Sequence, residues 1–274
     1  MILDGHIHIM TDKKDHNDLT GRMKKAGIDG GVIISLPPAA FPDLAPPTTP
    51  AERLDNLFFW TDLSPDLYPF YWIDPTEPDA ADQVAMALER GVNGFKVICN
   101  HFFCGDERAL PVFKEIANAK KPILFHTGIL WDGLPSSIYN RPSEFEALLE
   151  VDGLKFSVAH ISWPWCDECI AVYGKFLSAY KIRPDLSVEM FIDLTPGTPP
   201  IYRREALTKI YTVGYDIENN ILFGSDCRAD DYDSDWAAEW INRDNKIYKD
   251  LNLSQSTIDK IYGQNLKRFL GISQ

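Results

Sequence analysis

The chain of 274 residues is 45% apolar and 12% aromatic, enough to bury one large core as a barrel or as two smaller domains. A formal charge of −13 and a pI near 4.9 argue against nucleic acid or an anionic membrane as partner. No apolar run reaches about 18 residues and the N-terminus lacks a basic segment followed by a long apolar one, so a cytoplasmic location is expected. Five cysteines (Cys99, Cys104, Cys166, Cys169 and Cys227), an odd number, fit reduced thiols better than a disulfide framework.

Residues 2–10 (ILDGHIHIM) open as a buried strand and carry two imidazoles at i and i+2. Side chains alternate across a strand, so His6 and His8 point the same way. Residues 17–26 read as a short helix stopped by Gly27, and 31–36 (GVIISL) as a second strand. The segment 37–50 then holds six prolines; placed after a strand, this loop is a candidate lid. Residues 52–62 are expected to be helical, 68–73 (YPFYWI) to form a third strand, and 79–90 a helix capped by Gly91. The rhythm continues with strands at 94–98, 122–126, 154–160, 186–192 and 220–225, separated by helices at 110–119, 142–150, 166–180 and 203–213. Helices at 236–251 and 256–270 end the chain. Eight strand-to-helix alternations have the count and length of a parallel (β/α)8 TIM barrel, expected as one domain over 1–274. The rival doubly wound sheet lacks its glycine-rich phosphate loop after the first strand.

Catalytic groups of such barrels gather at the C-terminal ends of the strands. His6 and His8 end the first strand, Lys96 lies on the fourth, His126 ends the fifth, His160 the sixth, and Asp226 follows the eighth. Four of the six histidines therefore terminate expected strands, while His16 and His101 fall in loops or near helix starts. The duller account, core histidines with backbone partners, does not explain that clustering, and one shared metal site at the strand ends does.

The ordered segments HIH at 6–8, GFK at 94–96, FHTG at 125–128, VAH at 158–160, LFGSD at 222–226 and IYGQNLKRFLGI at 261–272 resemble the amidohydrolase superfamily. Within it the nearest likeness is to the amidohydrolase-related group of metal-dependent barrel hydrolases, which also holds decarboxylases and lactonases. The resemblance runs over nearly the whole chain. It implies that His6, His8 and His126 are metal ligands, that Asp226 is a ligand and proton carrier, and that His160 is a second-metal ligand or a substrate-facing group. The reaction implied is hydrolysis of an amide, a lactone or a related C–N or C–O bond of a small molecule. In that chemistry a cation lowers the pKa of water from 15.7 towards about 7, Asp226 takes up the proton, and His160 polarises the carbonyl or orients the water. Lys96 is expected to join them. As a carbamate it would bridge two ions; otherwise it pairs with Asp226 or with an acidic substrate. One divalent ion is expected, zinc first, and two if Lys96 is carbamylated; manganese, iron and nickel suit the same ligands. A metal-dependent decarboxylase or hydratase is the alternative class, and a non-catalytic metal-binding barrel a third.

Around the mouth, Trp131 and Trp163 are expected to stack on a planar substrate, with Trp165 nearby, although loop packing accounts for them equally well. Arg228, two residues past Asp226, is the expected contact for a substrate carboxylate, ahead of Arg141 and Arg203. Cys166 and Cys169 have the spacing of a redox or zinc pair, but no second CxxC or histidine pair accompanies them, and two thiols at a helix start is the simpler account. The partner expected is a small-molecule substrate, with no nucleic acid and no membrane; a homo-oligomer is left open.

Overall fold

The computed structural model describes residues 1–13, 15–16, 18–44 and 47–272. Asn17, where the first helix is expected to begin, and Ala45 and Pro46 of the proline-rich segment lie outside the described residues. The strands are β1 (Leu3–His8), β2 (Gly30–Ile34), β3 (Leu67–Trp72), β4 (Gly94–Val97), β5 (Ile123–Phe125), β6 (Lys155–Val158), β7 (Glu189–Asp193), β8 (Ile221–Leu222) and β9 (Cys227–Arg228). All pairings are parallel, in the order β8-β7-β6-β5-β4-β3-β2-β1-β9. Strands buried on both faces need no polar alternation, which is why they read as continuous apolar runs.

Of the eighth strand expected at 220–225 only Ile221–Leu222 is extended, and a second dipeptide, Cys227–Arg228, follows beyond its expected end. Asp226, at φ 59°, leaves the extended region and breaks the run. Backbone bonds nevertheless continue across the break. Gly5 N donates to Phe223 O (2.9 Å), Asp226 N to His6 O (3.0 Å) and Ala229 N to His8 O (2.8 Å), while Leu194 N donates to Leu222 O (2.8 Å) on the other side. The first and last strands are thereby joined, and the sheet curls into a TIM-barrel-like form.

The helices between strands are α1 (Leu19–Lys25), α2 (Pro50–Thr61), α3 (Ala80–Arg90), α4 (Ala109–Asn118), α5 (Cys166–Ile182) and α6 (Pro200–Thr212), followed by α7 (Ser234–Asp250), α8 (Gln255–Asp259) and α9 (Asn265–Leu270). Helix α2 begins two residues before its expected start because Thr49 and Glu52 form a reciprocal cap, with Pro50 at the first helical position. Residues 142–150, expected as an α-helix, wind as a 3₁₀ helix. The expected helix 256–270 is interrupted by a π-turn at Lys260–Gln264, which sets Gly263 against the backbone of Met1.

Two apolar layers result. Ile7, Ile33, Phe95, Phe125 and Phe156 pack between sheet and helices. Leu3, Val32, Phe70, Leu124 and Phe191 fill the inside, where Phe269 of α9 packs against Phe70 and meets Phe191 edge-on and plugs the end opposite the histidines.

Candidate active site

Regular alternation along β1 would place Leu3 and Ile7 on one face and both histidines on the other. The register shows otherwise: Asp4 pairs with Gly31 but Ile7 with Ile33, so β1 carries one extra residue. This bulge at Gly5 reverses the parity. Leu3 packs in the inner layer, Ile7 in the outer one, and His6 and His8 turn inward above Leu3. Outward-facing Asp4, fully buried, accepts bonds from Ser225 N (2.8 Å), the Ser225 hydroxyl and the Tyr232 hydroxyl (2.8 Å), which pins the bulged strand to the β8–β9 segment.

Inside, His6 Nε2 and His8 Nε2 lie 3.0 Å apart, and Asp226 Oδ1 is 3.7 Å from each. Ligands held tetrahedrally at 2.0–2.1 Å from zinc would be separated by about 3.3 Å, so these three donors fit one divalent cation. Lys96, fully buried on β4, brings Nζ to 3.3 Å from His6 Nε2. Behind His6, Asp193 Oδ2 at the end of β7 accepts a bond from Nδ1 (2.8 Å), and the Thr195 hydroxyl in turn donates to Asp193 Oδ1. That bond leaves the Nε2 lone pair of His6 facing the cavity. Sequence reasoning missed Asp193, because the expected seventh strand stops one residue short of it and a lone aspartate in an Asp-Leu-Thr turn carries no signal.

His126 stands beside the cluster rather than in it. Its Nε2 is 3.3 Å from Ile129 O, and its ring meets that of His160 at 5.0 Å, which itself lies 5.6 Å from the His6 ring. His160 follows β6 in a run of three left-handed residues, His160 (φ 63°), Ile161 (φ 52°) and Ser162 (φ 56°), none of them glycine. Such conformations cost on the order of 1–3 kcal/mol each and persist only where the surroundings impose them. Here Thr198 donates to His160 O (3.2 Å), and Ser162 donates to Thr127 Oγ1 (2.8 Å), which donates on to Ala159 O (2.7 Å). Asp226 is left-handed as well, so two of the inward groups sit on strained backbone.

Burial holds the imidazoles of His6, His8 and His126 well below their usual range and that of His160 at about 4, so all four are neutral, the form that ligates metals. Burial also lowers the Lys96 ammonium to about 8, against the pull of Asp226 and Asp193. Burial pushes the carboxyl of Asp226 up, Lys96 holds it back and the charge of Asp193 adds to the push. A third of the Asp226 side chain (34%) opens on the cavity, so water tempers the push.

These groups form the floor of a cavity of about 570 Å³. Residues 40–44 of the proline-rich loop line its mouth together with Trp131, Leu134, Trp163 and Arg228. Arg228 holds Asp230 through Nε (3.2 Å) and Nη2 (2.5 Å). Arg141 binds Glu168 and lies over the Trp165 ring, while Arg203 is buried against Asp244, and neither lines the cavity. The five cysteines are unpaired, and burial raises the Cys166 thiol to about 11 and that of Cys169 to about 12, leaving little thiolate for redox or metal chemistry. No helix among the described residues is long and apolar enough to cross a membrane.

A family model described as Amidohydrolase matches residues 29–272. No curated protein matches the sequence. Among solved structures the chain is similar to an amidohydrolase from Burkholderia multivorans (12% identity, TM-score 0.67, all of both chains) and to 2,6-dihydroxybenzoate decarboxylase from Rhizobium (14%, 0.63, 98% of each chain). It is also similar to dihydroorotase from Campylobacter jejuni (17%, 0.62, all of this chain and 84% of that one). At these identities the likeness is one of fold.

Proposed function

The chain belongs to the amidohydrolase family, and from that premise we propose that it is a metal-dependent hydrolase acting on an amide, a lactone or a related C–N or C–O bond of a small molecule. The observation that carries this reading is the convergence of His6 Nε2, His8 Nε2 and Asp226 Oδ1 within 4.8 Å of one another at the base of a cavity. We take β8 and β9 as the halves of one strand in a single (β/α)8 domain over 1–274.

His6, His8 and Asp226 would hold one cation; His126 lines the same cavity with Nε2 turned to Ile129 O and would join them as a further ligand only on moving towards the cluster. Zinc is the first choice, and manganese, iron and nickel suit the same donors. When bound, it supplies a Lewis acid that lowers the pKa of water and polarises a carbonyl. Asp226, open to the cavity, takes the proton of the attacking water and hands it to the leaving group. His160, held rigidly by its strained turn, orients the carbonyl oxygen. Lys96 adds positive charge beside His6; its carbamylation would make room for a second ion.

Elemental analysis of the purified protein is expected to give about one equivalent of metal, lost in His6→Ala. Two equivalents would move the reading to a carbamylated Lys96, and full turnover by Asp226→Asn would remove the proton shuttle. The lyase alternative is separated by its product: carbon dioxide released from a carboxylated substrate with no water consumed would replace the hydrolase.

A further inference from the structure

The four histidines, Lys96 and Asp226 lie together at the floor of the cavity. Above them the wall is apolar: His8 meets Trp72 edge-on at 5.6 Å, Phe41 packs on Trp72 at 4.9 Å, and Ile98, Leu130 and Trp163 continue the surface upward. At the rim stand three large apolar side chains open to water, Trp131 (81% exposed), Leu134 (63%) and Leu44 (44%), all facing the same opening. Exposed apolar groups gathered at one mouth mark a binding surface rather than chance exposure.

The charges point the same way. Among the described residues lining the cavity, the cations are Lys96, which is sunk in the floor, and Arg228, whose charge is compensated by two bonds to Asp230. The other charged groups of the upper part, Asp43 and Asp132, are carboxylates. An anionic group placed away from the floor would lose its water and meet no uncompensated cation.

We infer that the substrate carries its reactive acyl group on an uncharged, apolar body larger than a single ring, gripped between Trp131 and the Trp72 wall. The volume, roughly 19 times that of a water in the liquid, accommodates such a body. Only the place of the acyl group rests on the hydrolytic reading; the character of the body rests on the walls.

The test is calorimetric titration of the protein, with one equivalent of zinc added and again without it, using two probes that cannot be hydrolysed. One is 2-acetonaphthone, an uncharged two-ring ketone; the other is 6-acetyl-2-naphthoate, the same body ending in a distal carboxylate. The ketone is expected to bind one per chain and the carboxylate at least about tenfold more weakly. Trp131→Ala, a change at an exposed position, is expected to loosen the ketone about tenfold and leave zinc content unaltered. Equal binding of the two probes, no heat with the ketone, or indifference to Trp131→Ala overturns the inference. Ketone binding without hydrolysis across a panel of uncharged lactones and amides would instead remove the hydrolytic reading alone. Turnover of small polar lactones without ketone binding would remove the apolar body alone.

Discussion

Asp193 decides which nitrogen His6 presents to the cavity, since its carboxylate, fully buried, has the Nδ1 proton as its partner at 2.8 Å. Asp193→Asn keeps the size of the side chain and removes the charge that fixes that orientation. Metal affinity measured by competition with a chelating dye is expected to fall about 10–100-fold while the circular dichroism spectrum is unchanged; unaltered affinity would sink this positioning role. Gly224 gives a second, steric test of the same contact. A Cβ there would overlap Thr195 Oγ1 and lie 2.9 Å from His6 Cβ and 3.3 Å from Asp193 Oδ1. Gly224→Ala is therefore expected to cost about 1–3 kcal/mol in stability by denaturant titration and to weaken metal binding with it.

Between elements, α6 and α7 are tied by Arg203, whose Nε and Nη2 bind the two carboxylate oxygens of Asp244 at 2.9 and 2.5 Å with neither side chain reaching water. Asp244→Ala strands a buried guanidinium and is expected to cost about 3–5 kcal/mol, a fall of about 10 °C in Tm. Arg203→Met with Asp244→Leu removes both charges and is expected to recover most of that loss. A double variant as unstable as the single one would show that the pair itself stabilises the fold. Arg203 also shows where sequence stops. As a lone arginine it is a fair carboxylate binder, and only the position of Asp244, forty-one residues on, reveals its partner. Strands β1 to β7 were legible because short apolar runs set between glycine- and proline-rich turns suit a buried strand and little else, and the strand-end histidines were legible with them. That His6 and His8 share one side of β1 was legible as well. Alternation alone puts them on one side of a strand, but the bulge at Gly5 decides which side, and that bulge is specified by distant bonds to Phe223 and Ser225. The left-handed run at 160–162 had no sequence signal either, since none of its residues is a glycine or an asparagine.

For the molecule as a whole, a cation bound by the folded state and not by the unfolded chain must stabilise the fold. Dialysis against a chelator is expected to lower Tm, and returning zinc at about a thousandfold excess over its Kd to restore about 4 kcal/mol, near 10 °C. A melting curve indifferent to both would count against the proposed metal centre.

The seam between β1 and the β8–β9 segment also has a consequence in time. Asp4 and Ser225 are 221 residues apart, and Asp4 and Tyr232 are 228 apart. These contacts close very long loops, and such closures come late because their entropy must be met before any contact rewards it. A nascent chain cannot possess the site until β9 has left the ribosome. In refolding from denaturant, affinity for zinc should appear only after most of the helical signal has returned.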